Sequence, residues 1–148
     1  HRDGAATPSH PSSCSLRQLV SRGTGKLEIC QSFNREVTVA IPMNRSVNVP
    51  ADNGDFVALA AACFSDCFGG CQVYAVMGFY QSQRYGLIRE DVAVVKSYTT
   101  DEMLWKHFAK LEHLMAHILV ELGQETVFLS VDNEAILWRM PRSKSVVA

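Results

Sequence analysis

Three groups of side chains in this 148-residue chain carry types and spacings that chemistry can use. The densest is Cys63-Phe-Ser-Asp-Cys67-Phe-Gly-Gly-Cys71, a C-x3-C-x3-C array. Positions i and i+4 of a helix share a face, so Cys63 and Cys67 are spaced to share a soft metal, with Cys71 folding back after the glycines. Structural zinc sites favour shorter C-x-x-C knuckles and need a fourth ligand, which no neighbouring His supplies. The simpler account makes the thiols small apolar groups in a helix core, since free cysteine is among the most buried residue types. No cofactor is expected on that account, and a metal at Cys63, Cys67 and Cys71 is the alternative.

The second group is His113-Leu-Met-Ala-His117-Ile-Leu-Val-Glu121. Two His at i and i+4 suit zinc, but Glu112 precedes the pair, so the general-base position of H-E-x-x-H is missing. A solvated helix face with favourable charge spacing is the plainer reading. The third group is the polar segment Gln81-Ser-Gln-Arg84-Tyr85-Gly86 with its flanks. Arg84 and Arg89 suit a small anion, and Tyr80 or Tyr85 suits a ring to stack on it. A solvated hairpin tip is the alternative. Binding residues nevertheless concentrate on loops held by a rigid sheet, so Tyr80, Arg84, Tyr85 and Arg89 are the candidate ligand-binding set. No catalytic residue is assigned. Gly23-Thr-Gly25-Lys26 lacks the first glycine of a phosphate loop and has Leu27 where a magnesium-binding hydroxyl belongs. There is no G-x-S-x-G elbow and no paired-glycine dinucleotide fingerprint.

The elements that must position these groups follow from periodicity. Glu36-Val-Thr-Val-Ala-Ile41 alternates apolar and polar residues, as a half-buried strand does, and Pro42 closes it. A polar loop over 44–51 leads to Asp52-Asn53-Gly54-Asp55, which supplies side-chain caps and negative charge for a helix from about Asp55 to Phe68. Its expected core stripe is Phe56, Leu59, Ala60, Cys63 and Cys67, with Gly69-Gly70 as the exit. Residues 71–80 and 88–98 read as two antiparallel strands. Thr99 to Glu102 opens a long helix to Leu122, whose face carries Leu104, Phe108, Leu111, Met115, Ile118 and Leu122. Residues 126–131 read as a strand and 135–139 as a short fifth one.

Composition bounds the rest. An apolar share of 47% and a charged share of 20% are those of a folded domain. Fourteen Lys and Arg against fifteen Asp and Glu leave a net charge of −1, so no positive field gathers nucleic acid or anionic lipid. No apolar run approaches the roughly 20 residues that span a bilayer, and a cytoplasmic location is the expectation. The domain reading is a disordered tail over 1–32 with one short helical turn, a folded domain over 33–139 and a C-terminal tail over 140–148.

The expected fold is α+β: a split β-α-β arrangement with a four-stranded antiparallel sheet, two helices on one face, and the short fifth strand. From about Arg35 to Trp138 this order resembles small ferredoxin-like domains of the PII-like or dimeric α+β barrel type, on topology and hydrophobic pattern. The uncovered face would carry Thr38, Ala40, Phe128 and Ser130, with either Tyr74, Val76 and Tyr80 or Val73, Met77 and Phe79. That surface is too apolar to stay wet, which predicts a homo-oligomer joined through the sheet or a ligand cavity. The leading functional expectation is thus an oligomeric small-molecule-binding or regulatory domain without catalytic activity. The alternatives are an α+β barrel enzyme acting on a small aromatic or quinone-like compound, with Tyr74, Tyr98 or a His as proton carrier, and a protein-interaction module.

Overall fold

The computed structural model describes residues 13–46, 49–50 and 53–142. The readings placed on residues 1–12 and 143–148, and on Asp52 as a helix cap, lie outside the described residues. The chain divides into two compact units with the boundary between Ser32 and Phe33. The first holds helix α1 (Leu16–Val20). The Ser15 hydroxyl accepts from the Gln18 N–H, and the Gln18 side chain accepts from the Ser15 N–H. This reciprocal box satisfies amide hydrogens that a single helical turn cannot bond internally.

The second unit is built on β1 (Arg35–Pro42), β2 (Asn44–Ser46), β3 (Val49–Pro50), α2 (Gly54–Phe68), β4 (Gln72–Ser82), β5 (Gly86–Thr99), α3 (Asp101–Glu121), β6 (Val127–Val131) and β7 (Glu134–Trp138). β2 and β3 pair with each other. The other strands form one antiparallel sheet in the order β4-β5-β1-β6-β7. The α+β class with an antiparallel sheet is therefore the fold. The sheet has five strands rather than the four expected of its core, because β7 pairs along the full length of β6.

Register assigns the two faces. Val37, Val39 and Ile41 stand beside Ser97, Val95 and Ala93 of β5, and Val37 and Val39 beside Val131 and Leu129 of β6. These residues meet the buried faces of α2 and α3 in one core. In α3 the buried set is Leu104, Leu111, Leu114, Met115, Ile118 and Leu119. Phe108 is part-exposed and packs edge-on against Trp138 at 5.6 Å. The α2 stripe is rotated from expectation. Phe64 and Phe68 are fully buried, whereas Leu59 is 42% exposed. Both phenylalanines meet in an edge-to-face pair at 5.5 Å, the arrangement that ring quadrupoles favour.

The helix ends are set locally. The Thr100 hydroxyl accepts from the Met103 N–H at 3.3 Å, with Asp101 and Glu102 in the positive first turn. Asn53, at the start of α2, makes no side-chain cap; it is buried and its side-chain amide donates to the Pro42 carbonyl, tying β1 to the helix. Gly69 leaves α2 at φ 91°, a left-handed conformation that costs other residues energy. At the start of β1, Arg35 reaches Asp101 at 2.7 Å and Asp132 at 2.8 Å, joining the sheet to α3 and the β6–β7 turn.

Candidate functional site

On the face of the sheet opposite α2 and α3, the side chains of Tyr74, Tyr80 and Tyr98 are exposed. The pairs Ala40–Val94 and Tyr74–Val94 put Tyr74, Val76 and Tyr80 of β4 on this open face and Val73, Met77 and Phe79 on the other. On β5 the open-face set is Ile88, Glu90, Val92, Val94, Lys96 and Tyr98, by alternation. Toward one end, the Lys96 ammonium lies over the rings of Tyr74 and Tyr98, 5.8 and 5.2 Å from their centroids.

Toward the other end the face deepens into a cleft of about 680 Å³. Its floor is β1, β5 and β6, through Ala40, Ile88, Glu90, Val92 and Phe128. One wall is the β4–β5 hairpin. The other is the segment from Gly123 to Val127, between α3 and β6. Tyr80, Arg84, Tyr85 and Arg89 all line this cleft, so the structure brings the four hairpin residues singled out from sequence to one place. The hairpin turn is locally fixed: the Ser82 hydroxyl accepts from the N–H groups of Arg84 and Tyr85 at 3.2 and 3.1 Å. Gly86 closes it at φ 77°. The Arg84 guanidinium lies 5.2 Å from the centroid of the Tyr85 ring. Arg89 reaches Asp91 at 3.5 Å.

Residues that sequence reasoning passed over supply the opposite charge. Glu90 stands across from Gly78, which has no side chain to crowd it. Burial raises its carboxyl above the ordinary Glu value. Burial also raises Tyr80, and the nearby carboxylates of Glu90 and then Glu125 push it further the same way. Tyr80, Glu90 and Glu125 thus form one electrostatic group. Glu90 did leave a signal, as a carboxylate within the otherwise apolar run Ile88, Glu90, Val92, Val94 on one face of a strand. Phe128 was expected on the open face from the alternation of its strand, but Glu125 left no signal, because only the return of the chain after α3 sets it beside the hairpin.

The cysteine array lies elsewhere, on α2 and the turn into β4. Cys67 is buried, and Cys63 and Cys71 are part-buried. Burial, followed by the neighbouring Cys63, pushes the Cys67 thiol up to about 11, which disfavours the thiolate that binds metal or attacks disulfides. Cys71 sulfur is within 3.6 Å of the Ala61 carbonyl and 3.8 Å of the Ser65 hydroxyl. Among the described residues, no group of three His, Cys, Asp or Glu side chains is arranged to hold a metal ion. On α3, the His117 ring lies 6.2 Å from that of Phe56, while His113 and Glu121 are exposed. No helix among the described residues is long and apolar enough to cross a membrane.

No protein-family model and no curated protein matches the chain. Two solved structures share its fold. One is a phage SAM lyase in complex with S-methyl-5'-thioadenosine, with a TM-score of 0.57 and 14% sequence identity, covering 76% of this chain and 97% of the other. The second is a phage SAM lyase in the apo state, with a TM-score of 0.58 and 14% identity, covering 80% and 98%. This likeness corrects the expectation of an oligomeric binding or regulatory domain without catalytic activity, which rested on the lack of a catalytic motif. Both of these solved structures are described as lyases. Neither alternative, the enzyme for aromatic or quinone-like compounds or the interaction module, names their chemistry.

Proposed function

We propose that the cleft at the end of the open sheet face binds S-adenosylmethionine and that the chain cleaves it as a lyase. The observation that carries this reading is the pairing of a part-buried carboxylate, Glu90, with the rings of Tyr80 and Phe128 in one cleft. A sulfonium cation is attracted by both kinds of group: carboxylates through charge, and ring faces through their quadrupole. A volume of about 680 Å³ lies within the range of small-molecule pockets. The shared fold with structures that act on, or hold, such adenosyl compounds supports the same choice.

The chemistry suits a site with few catalytic groups. When the C–S bond breaks, its electron pair stays on sulfur and leaves S-methyl-5'-thioadenosine. The remaining carbon is closed by loss of a neighbouring proton or by capture by the substrate's own carboxylate. The sulfonium charge is lost in this step, and Glu90 and the rings act by holding the substrate with its arm in place for closure. Glu90 holds the sulfonium and is the acceptor at hand for a proton, and burial together with the carboxylates beside Tyr80 keeps its hydroxyl protonated. The lack of a nucleophile motif is then expected, because the leaving thioether departs without one.

The antiparallel order β4-β5-β1-β6, with α2 and α3 as its two crossovers, supports the finer ferredoxin-like reading, with β7 appended. The open face also carries Tyr74, Val76 and Leu137 with large exposed areas, which supports a homo-oligomer formed through this face. Light scattering on the purified chain measures its mass directly, and a monomer at all concentrations removes that part of the reading.

Incubation with S-adenosylmethionine, followed by chromatography for S-methyl-5'-thioadenosine, tests the activity. Release of the thioether is expected, and Glu90→Gln is expected to slow it about 100-fold. A chain that folds yet releases none, with substrate recovered intact, overturns the proposal.

A further inference from the structure

The cleft carries both signs of charge: Glu90 and Glu125 act together on Tyr80, and Arg84 lines it from the turn of the β4–β5 hairpin. Arg84 and Arg89 differ in what already occupies them. Arg89 is engaged with Asp91. Among the described residues Arg84 has no carboxylate partner; its guanidinium rests against the Tyr85 ring instead. A ring face steadies the guanidinium without consuming the N–H donors that lie in its plane. Ser82 in turn anchors the backbone of both residues. The result is a cation held by its neighbours at the rim of a pocket, with its donor fork unspent.

S-Adenosylmethionine and S-methyl-5'-thioadenosine share the adenine, the ribose and the sulfur. They differ in the amino-acid arm, whose far end is a carboxylate. A bidentate guanidinium matches a carboxylate in both charge and shape. We infer that Arg84 is the specificity-determining residue of the cleft, receiving the α-carboxylate of the amino-acid arm so that the intact substrate is held more tightly than the shortened thioether. The inference rests on the adenosyl-sulfonium reading above and adds a direction to it: the sulfonium lies toward Glu90 and Tyr80, and the arm toward the turn of the hairpin. Product release follows from the same asymmetry, since cleavage detaches the only group that Arg84 grips.

The test separates the arm from the sulfonium by using two neutral thioethers, S-adenosylhomocysteine, which keeps the arm, and S-methyl-5'-thioadenosine, which lacks it. Calorimetric titration of the full chain with each is compared for the wild type, Arg84→Met, Arg84→Lys and Arg89→Met. Loss of one charge-assisted hydrogen-bonded pair corresponds to roughly a 10- to 100-fold weaker constant. Arg84→Met is expected to weaken S-adenosylhomocysteine by that factor and to leave S-methyl-5'-thioadenosine within about twofold. Arg84→Lys is expected to recover part of the loss, and Arg89→Met to show little. Equal weakening of both ligands, or of neither, overturns the role given to Arg84 while leaving the adenosyl site standing. A wild-type chain that binds neither thioether overturns the site and this inference together. Unchanged thermal unfolding of each variant verifies that the exposed hairpin tip tolerated the change.

Discussion

The two faces of one sheet divide the work of this molecule. On the covered face, Val37, Val39, Ile41 and Val95 are fully buried beneath Phe64, Met115 and Ile118. Side chains there are uniform in chemistry and act by the area they remove from water. On the open face the same alternation sets Tyr74, Glu90, Lys96, Tyr98 and Phe128 among valines. That mixture gives up burial, and with it stability, for groups that can meet a ligand. In a fold without a catalytic motif, the positions that interrupt an apolar alternation on the face away from the helices are the ones free of the core's demand for uniform packing.

Substitutions can break or sharpen this contrast. The largest effect is expected on the covered side, where Phe64→Ala removes a fully buried ring and should cost about 3–5 kcal/mol, read as a shift in the urea midpoint. A loss below about 1 kcal/mol would mean that the core is not centred on this ring. Next comes Arg35, which spans Asp101 and Asp132. Because its partners are part-exposed, Arg35→Met should cost only about 1 kcal/mol, and 1 M salt should reproduce much of that loss in the wild type.

Glu90 should give a smaller effect with a distinctive pH dependence. Its carboxyl is raised in the folded state, so the folded chain binds the proton more tightly than the unfolded one. The contribution to stability is then full below the ordinary Glu value and is lost as pH rises through the raised folded value. Melting temperatures of the wild type and Glu90→Gln should therefore diverge from pH 4 to pH 7, with the variant becoming relatively more stable. Parallel curves would remove the claim that Glu90 is desolvated. The smallest effect is expected at Val76, on the open face, where Val76→Ser should change stability by no more than about 0.5 kcal/mol in the monomer. A cost comparable with that of Phe64→Ala would show the face to be covered in solution.

The alternation of β1, the long apolar face of α3 with its Thr100 cap, and the glycine after α2 were legible in the sequence. Each is a pattern within a single segment, set by the period of a strand or helix and by local backbone sterics. That Tyr80, Arg84, Tyr85 and Arg89 line one cleft follows from the same local reach, since a turn brings near neighbours together. The rotated stripe of α2 was not. Leu59 and Phe64 both fit a helical period, and only the position of the sheet beneath decides which is buried.

The alternation and helical periods of the sequence determined β1, the two long helices and the other strands of the main sheet, but not β2 and β3, which pair within the stretch read as a polar loop. Only the tertiary structure decided that β1 lies between β5 and β6, which puts Tyr74, Val76 and Tyr80 on the open face and sets the segment from Gly123 to Val127 across from the hairpin. The physical reason is range. Periodicity is written into adjacent residues, whereas Glu125 and Phe128 meet Tyr80 and Glu90 only after the chain has closed a loop through α3, and that closure depends on packing across the whole core.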